Sequence, residues 1–157
     1  MLFLIWFFNQ QDNRIDIVGK NIVVSDGDSF AIGRERVRLI GIDAPELHQI
    51  CSDVSGHAWP CGTDARDALA AKLKMPGLSC VSQQEDRFHR KLVTCSTPSV
   101  ADIGAAQVAD GWAISEEFGE GRDYPEQEDS ARAAKRGIWR GSFERPRAWR
   151  NGHPRPL

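Results

Sequence analysis

Residues 14–18 (Arg-Ile-Asp-Ile-Val) alternate polar and apolar side chains, the pattern of a half-buried strand. Gly19-Lys20 turns the chain into a second β-prone run at 21–24. Asp26-Gly27-Asp28 interrupts that run as a turn or bulge, and residues 29–32 continue it. Gly33-Arg34-Glu35-Arg36 has the composition of a hairpin turn into a third strand over 37–42, and Pro45 forbids simple continuation. Residues 47–62 are irregular and carry cysteines. Ala65, Ala68, Leu69 and Leu73 form an apolar stripe that predicts a helix over 64–74, capped by Thr63. Asp64 and Asp67 favour its N-terminal end, Lys72 and Lys74 the other, and Pro76-Gly77 stops it. Residues 78–84 and 91–96 read as two more strands around the polar turn 85–90. Ser99 is the expected cap of a second helix ending at Gly111, with Val100, Ile103 and Ala106 buried. Pro125 suits the first turn of a third, with Ala131, Ala134 and Ile138 on its apolar side and Gly137 as breaker.

The order is three strands, a helix, two strands and two helices. It predicts an α+β fold: a five-stranded OB-fold β-barrel with three helices, one lying between strands three and four, a common platform for nucleic acids. A length of 157 residues suits one domain with a real core. The chain divides into an N-terminal segment at 1–13, the OB-fold domain at 14–140 and a basic Pro/Arg-rich tail at 141–157. The run Met1-Leu2-Phe3-Leu4-Ile5-Trp6-Phe7-Phe8 is far short of the about 20 residues that span a bilayer. It has neither a basic start nor a small-residue cleavage site, so it reads as a buried or altered N-terminus, or as the remnant of an export signal or anchor.

Net charge is −2 and the pI about 6.1, so no global positive field gathers nucleic acid and any polyanion must meet a local patch. Residues 116–129 carry seven acids against one arginine and read as a solvated loop running into a helix. The last 18 residues carry Arg140, Arg145, Arg147, Arg150 and Arg155 against Glu144 alone, with three prolines. They read as an extended, solvated tail, contact with nucleic acid being the sharper alternative.

Four cysteines, Cys51, Cys61, Cys80 and Cys95, permit three pairings. A hairpin closed on a two-residue loop at Arg87-Phe88 would set Cys80 opposite Cys95, at about the 4.5–5.5 Å of cross-strand neighbours. Cys51 then pairs with Cys61. The rivals are a zinc cluster of His48, Cys51, His57 and Cys61, whose spacing matches no common finger, and free thiols. Two disulfides would imply an oxidising compartment.

The chemistry concentrates between Asp26 and Glu46. Asp28, Asp43 and Glu46 supply hard oxygens and a possible base, and Arg38 a planar cation. Carboxylates beside an arginine suit a metal ion facing a phosphate, since metal and guanidinium attract the anion together. Strict strand alternation places Arg38 and Asp43 on opposite faces, so their convergence requires a turn at the strand end.

The segments Asp26-Gly27-Asp28-Ser29, Val37-Arg38-Leu39-Ile40-Gly41-Ile42-Asp43-Ala44-Pro45-Glu46, Asp86-Arg87-Phe88-His89-Arg90, Asp110-Gly111-Trp112-Ala113 and Arg136-Gly137-Ile138-Trp139, in this order, resemble the thermonuclease (staphylococcal nuclease-like) family over residues 14–140. The resemblance implies calcium held by Asp28, Asp43 and the carbonyl of Ala44, with Glu46 activating or positioning water. It implies Arg38 and Arg90 on the scissile phosphate, Arg87 and Phe88 in substrate binding, and cleavage of DNA and RNA that leaves 3′-phosphate ends. Asp26 is then a support for the metal ligands. Ser29 stands for the usual threonine and keeps its hydroxyl. His89 stands where glycine is common, and Phe88 lacks the hydroxyl of the tyrosine usual there. Residues 116–119 lack the substrate-contacting tyrosines of the best-known member, and Glu117 would repel phosphate, so weaker or more salt-sensitive binding is expected.

The expectation is therefore a calcium-dependent nuclease of low sequence specificity, exported to the periplasm or exterior, monomeric, with no obligate protein partner. Membrane attachment follows only if the N-terminal run is a truncated anchor. The rivals are a catalytically silent OB module that binds nucleic acid or protein, and a structural domain stabilised by calcium or disulfides.

Overall fold

The computed structural model describes residues 13–118, 121–154 and 156. The apolar run at 1–8, Arg155 and the Glu117 side chain, each given a reading above, lie outside the described residues. In chain order the strands and helices are β1 (Ile22–Val24), β2 (Ser29–Ile32), β3 (Glu35–Leu39), β4 (Ile42–Asp43), β5 (Cys51–Asp53), β6 (Ala58–Trp59) and α1 (Cys61–Leu73). They continue with β7 (Ser79–Glu85), β8 (Lys91–Ser96), α2 (Ile103–Ala109), β9 (Ile114–Ser115), β10 (Glu117–Phe118) and β11 (Gly121–Arg122). The last are α3 (Pro125–Ala133), a 3-10 turn at Gly137–Arg140, β12 (Gly141–Ser142) and α4 (Pro146–Gly152).

The main sheet has five strands in the order β1-β2-β3-β8-β7, antiparallel except where β3 runs parallel to β8. The parallel pair requires a crossover, and α1 supplies it, as the OB arrangement demands. The fold is the expected α+β OB fold. Among the described residues its ladder stays open between β1 and β7, and three small sheets flank it: β4-β9, β12-β5-β6 and β10-β11. Phe30, Ile32, Val37 and Leu39 alternate inward from β2 and β3, meeting Leu69 of α1, Val93 of β8 and Ile103 and Val108 of α2. A second cluster gathers Cys51, Cys61, Ile114 and Ile138 under Trp59, Trp139 and Phe143.

Several local readings are corrected. Residues 14–18 form no strand. Arg14 makes a single bridge to Val81, and the Ile15 N–H donates to the Cys80 carbonyl. Asp26-Gly27-Asp28 does not interrupt one strand but reverses the chain between two, since Val24 pairs with Phe30. The first helix starts at Cys61, so Thr63 lies inside it. The second is capped by Asp102, whose side chain accepts from the Ala105 N–H, and not by Ser99. Helix α3 begins at Pro125 as expected, and Ala131 is buried, but Ile138 packs from the 3-10 turn. Glu128 is buried at 2% exposure, accepting from Ser115 N and pairing with Arg122, so the acidic stretch is not wholly solvated. The C-terminal stretch is not extended, because Pro146 opens α4.

Cys51 bonds Cys61 and Cys80 bonds Cys95, as expected, so both sulfur donors of the alternative zinc cluster are used. Cys80 does lie opposite Cys95. The turn, however, has five residues, 86–90, because Glu85 pairs with Lys91, and a bulge between Ser82 and Gln84 restores the register. No helix among the described residues is long and apolar enough to cross a membrane.

Candidate functional site

The site begins in the β1–β2 turn. Asp26 accepts from the backbone N–H groups of Asp28 (3.0 Å) and Ser29 (2.9 Å), which folds the turn and fixes the Asp28 side chain. Gly27 is required by close packing: a Cβ there would lie 2.7 Å from Ala44 Cβ and 2.8 Å from Ala65 Cβ. The Gly27 carbonyl accepts from Gln107 Nε2 of α2 at 2.9 Å, and Gln107 also receives Lys72 Nζ at 3.0 Å. Gln107 is fully buried and clamps the turn from behind. Burial, reinforced by the Asp28 carboxylate, lifts the Asp26 pKa to about 8.

Arg38 and Asp43 meet because β3 ends at Leu39. Gly41, at φ +81°, turns the chain into β4, where Asp43 pairs with Ile114 of β9. Arg38 reaches across this turn. Its guanidinium lies 3.2 Å from Asp28 Oδ1, 3.4 Å from Asp43 Oδ1 and 3.2 Å from the Ile42 carbonyl. Asp28 also accepts from Ser29 Oγ (2.7 Å) and the Ala44 N–H (2.8 Å). Burial opposes the charge on Arg38, but Asp28 and Asp43 outweigh it and raise its pKa. Glu116, half-buried beside them, is raised by its burial against the pull of Arg38.

Glu46 joins this cluster through a residue given no role above. Arg150, on α4, donates from Nη1 to both Glu46 Oε1 and Asp43 Oδ1 at 2.9 Å, and from Nη2 to Asp43 Oδ2 at 3.2 Å. Its burial opposes the charge, and these bonds outweigh it and raise its pKa. The Glu46 loop is held by Gln49, fully buried, whose Oε1 accepts from the Glu46 N–H and whose Nε2 donates to the Glu144 carbonyl. Gly62 lets α1 approach this loop, since a Cβ there would lie 1.9 Å from the Glu46 carbonyl oxygen. The only sequence signal for Arg150 was the excess of arginine after residue 139.

Asp28, Asp43, Ala44, Glu46 and Arg38 are thus brought together. Arg90 stands apart, in the 86–90 turn, with Nε on Asp86 Oδ2 at 2.8 Å and its guanidinium 5.5 Å from the Phe88 ring. The parallel register sets Lys91 beside Val37, and Arg36 Nη2 donates to the Phe88 carbonyl, so the turn that carries Arg90 lies against the start of β3. Arg87 lies 4.8 Å from the Phe88 ring, and Phe88 is 53% exposed.

The donors that the resemblance implies are hard oxygens: two carboxylates and the Ala44 carbonyl. Their chemistry fits calcium or magnesium, with water and a phosphate oxygen left to complete the shell. Among the described residues no three His, Cys, Asp or Glu side chains are grouped as a metal would need.

The fold and the cluster define the class: an OB-fold protein with a largely buried cluster of acids and guanidiniums. Residues 36–141 match the family model described as staphylococcal nuclease homologue, and the chain belongs to that family. It is 32% identical over 137 residues to the succinoglycan biosynthesis protein ExoI of Rhizobium meliloti (strain 1021), covering 87% of this chain and 71% of that one. It is 27% identical over 129 residues to an uncharacterized endonuclease of Escherichia coli O157:H7, covering 79% and 78%.

Proposed function

We propose that the protein is a calcium-dependent nuclease that hydrolyses phosphodiester bonds of DNA and RNA with little sequence preference, leaving 3′-phosphate ends. One observation carries this reading: Asp28 and Asp43 converge on Arg38, and Glu46 is tied to the same cluster. Family membership and the endonuclease name of a relative support the nuclease class. Asp28, Asp43 and the Ala44 carbonyl would hold calcium, which when bound supplies positive charge against the phosphate.

The chain's own groups do the rest. Arg38, fixed by two carboxylates, presents its guanidinium to a phosphoryl oxygen and stabilises the charge that grows as water attacks. Glu46 orients that water and accepts its proton. Arg90 grips the phosphate from the 86–90 turn, its Nη edge left outward because Asp86 holds Nε. Phe88 stacks on a base, and Arg87 meets the backbone. The two disulfides suit a periplasmic or extracellular site of action, and we place the protein there.

The test is incubation with single- and double-stranded DNA and RNA, in calcium or chelator, with the product ends identified. Calcium-dependent cleavage that collapses in Glu46→Gln is expected. Absence of such cleavage across a wide pH range sinks the enzyme. One observation favours a silent binding module instead: Arg150 pairs with both Asp43 and Glu46. The same assay decides, since a silent module binds the nucleic acid and leaves it intact.

A further inference from the structure

Helix α4 lies beyond the stretch that matches the family, yet it forms one wall of the site. Between α4 and the loop that carries Glu46 lies a cavity of about 470 Å³, lined by Asp26, Glu46, His48, Trp149, Arg150 and His153 among others. That volume falls in the range of small-ligand sites. Glu46 and Arg150 belong both to this cavity and to the acid–guanidinium cluster, so whatever fills it sits next to the chemistry.

The walls are of two kinds. Trp149 is half-buried and stacks on His153, ring centroids 4.1 Å apart and planes 12° from parallel. His153 Nδ1 lies 2.9 Å from the Trp149 carbonyl oxygen, which holds the imidazole over one face of the indole and leaves the other face for a ligand. Arg150 adds a guanidinium whose side chain is about one-third exposed, and which therefore reaches an incoming anion without leaving its carboxylate partners. An aromatic ring and a guanidinium that line one cavity offer a surface for a base and a charge for its phosphate.

We propose that this cavity is a nucleotide subsite, taking one unstacked base of a single strand against Trp149 and the adjoining phosphate on Arg150. The inference deepens the nuclease reading and rests on it for the identity of the strand. Duplex DNA must open to fill the subsite, so single strands are the preferred ligand.

The test reads binding, so that it fails separately from the nuclease reading. A short fluorescein-labelled thymidine oligonucleotide and a fully abasic strand of equal length are titrated with the protein and followed by anisotropy. This is done in chelator and, with phosphorothioate linkages that resist hydrolysis, in calcium. Trp149→Ala is expected to weaken the base-bearing strand about tenfold and leave the abasic strand unchanged, while Trp149→Phe restores most of the loss. Thermal melts establish that the variants are folded. Equal losses on both strands, no loss on either, or no measurable binding of the base-bearing strand by the parent overturns the subsite. Calcium-dependent cleavage without a Trp149 effect removes the subsite alone. A Trp149 effect without cleavage removes the nuclease and leaves the subsite standing.

Discussion

Arg150 Nη1 donates to Glu46 Oε1 at 2.9 Å across 104 residues of sequence, and the same nitrogen donates to Asp43 Oδ1 at 2.9 Å. An acid at the end of β4 and another in the loop after it are thereby paired with a helix at the far end of the chain. The pairing explains why α4 docks where it does. Its seven residues bury only Pro146, so burial alone cannot fix its position. Polar anchors do so instead: Gln49 on the Glu144 carbonyl before α4, and Arg150 on the site within it.

Arg150→Ala leaves Asp43, with a side chain only 8% exposed, short of its principal counter-charge. The expected result in chelator is a loss of about 1–2 kcal/mol of stability, discounted because Arg150 itself is partly exposed. Calcium is expected to raise the melting temperature of this variant more than that of the parent, because the metal no longer competes with the guanidinium. Melting curves in chelator and in calcium make the comparison. Equal calcium shifts would show that Arg150 does not compete for those oxygens.

Gln107 tests the other side of the site. Its side chain satisfies Gly27 O, Ala65 O and Lys72 Nζ at once, all in the interior. Gln107→Leu keeps the volume but strands the Gly27 carbonyl and leaves Lys72 to Asp110 alone, at a cost of about 1–3 kcal/mol in urea denaturation. The turn it clamps carries Asp28, so residual cleavage, measured where the variant is fully folded, is expected to fall as well. Unchanged cleavage by a folded variant would show that the turn needs no clamp.

His89 has φ +59°, the left-handed region, where a side chain costs about 1–2 kcal/mol that glycine avoids. The glycine common at this position in the family has its reason there. His89→Gly also loses a surface contact with Glu85 and gains disorder in the unfolded chain, so the net expected gain is about 0.5–1 kcal/mol. Chemical denaturation reads it, and a loss of stability would mean that the His89–Glu85 pair outweighs the strain.

What the sequence made legible follows from how locally each feature is encoded. Helix α1 and the β7–β8 hairpin could be read because an apolar stripe and Pro-Gly punctuation act within a few residues. Alternation misled at 14–18, which pairs with no neighbour as a strand, and the turn at 26–28 reads in sequence as an interruption of one strand. The Cys80–Cys95 pairing could be read because a hairpin register is local, although a bulge at 82–84 was needed to offset a longer turn. Arg38 and Asp43 were recognisable as chemistry but not as neighbours, since their meeting depends on the turn at Gly41. Helix α4 was illegible: a Pro- and Arg-rich segment has no apolar period, and its anchors are side chains about a hundred residues away. Gln49 and Gln107 were missed for the same reason, because an isolated glutamine gives no sign of whether it is solvated or buried as a clamp. Glu128 was read as solvated because charge composition says nothing about one acid inside an acidic stretch.

Asp86 governs the proposed contact of Arg90 with the scissile phosphate, outside the main cluster. Its Oδ1 accepts from the N–H groups of Phe88 (2.8 Å) and Arg90 (3.0 Å), and its Oδ2 from Arg90 Nε (2.8 Å). Partial burial works against the carboxylate, but these hydrogen bonds outweigh it and hold its pKa below the usual value. A lowered folded pKa means that Asp86 contributes its full stabilisation above the unfolded pKa of about 3.9, and loses it as pH falls through the lower folded value. Neutral solution therefore keeps the turn intact, and only acid below the lowered folded pKa releases Arg90. Asp86→Asn retains an oxygen for the two backbone N–H groups but removes the charge that orients Arg90. The parent is expected to lose stability as pH falls below about 4, and the variant to show a flatter profile there. At neutral pH the variant is expected to lose about tenfold in kcat with a smaller change in KM, because Arg90 acts on charge that grows in the transition state. Urea denaturation at stepped pH and steady-state cleavage read the two effects. A variant that followed the parent in both would show that Arg90 is held by the fold of the turn and not by the charge on Asp86.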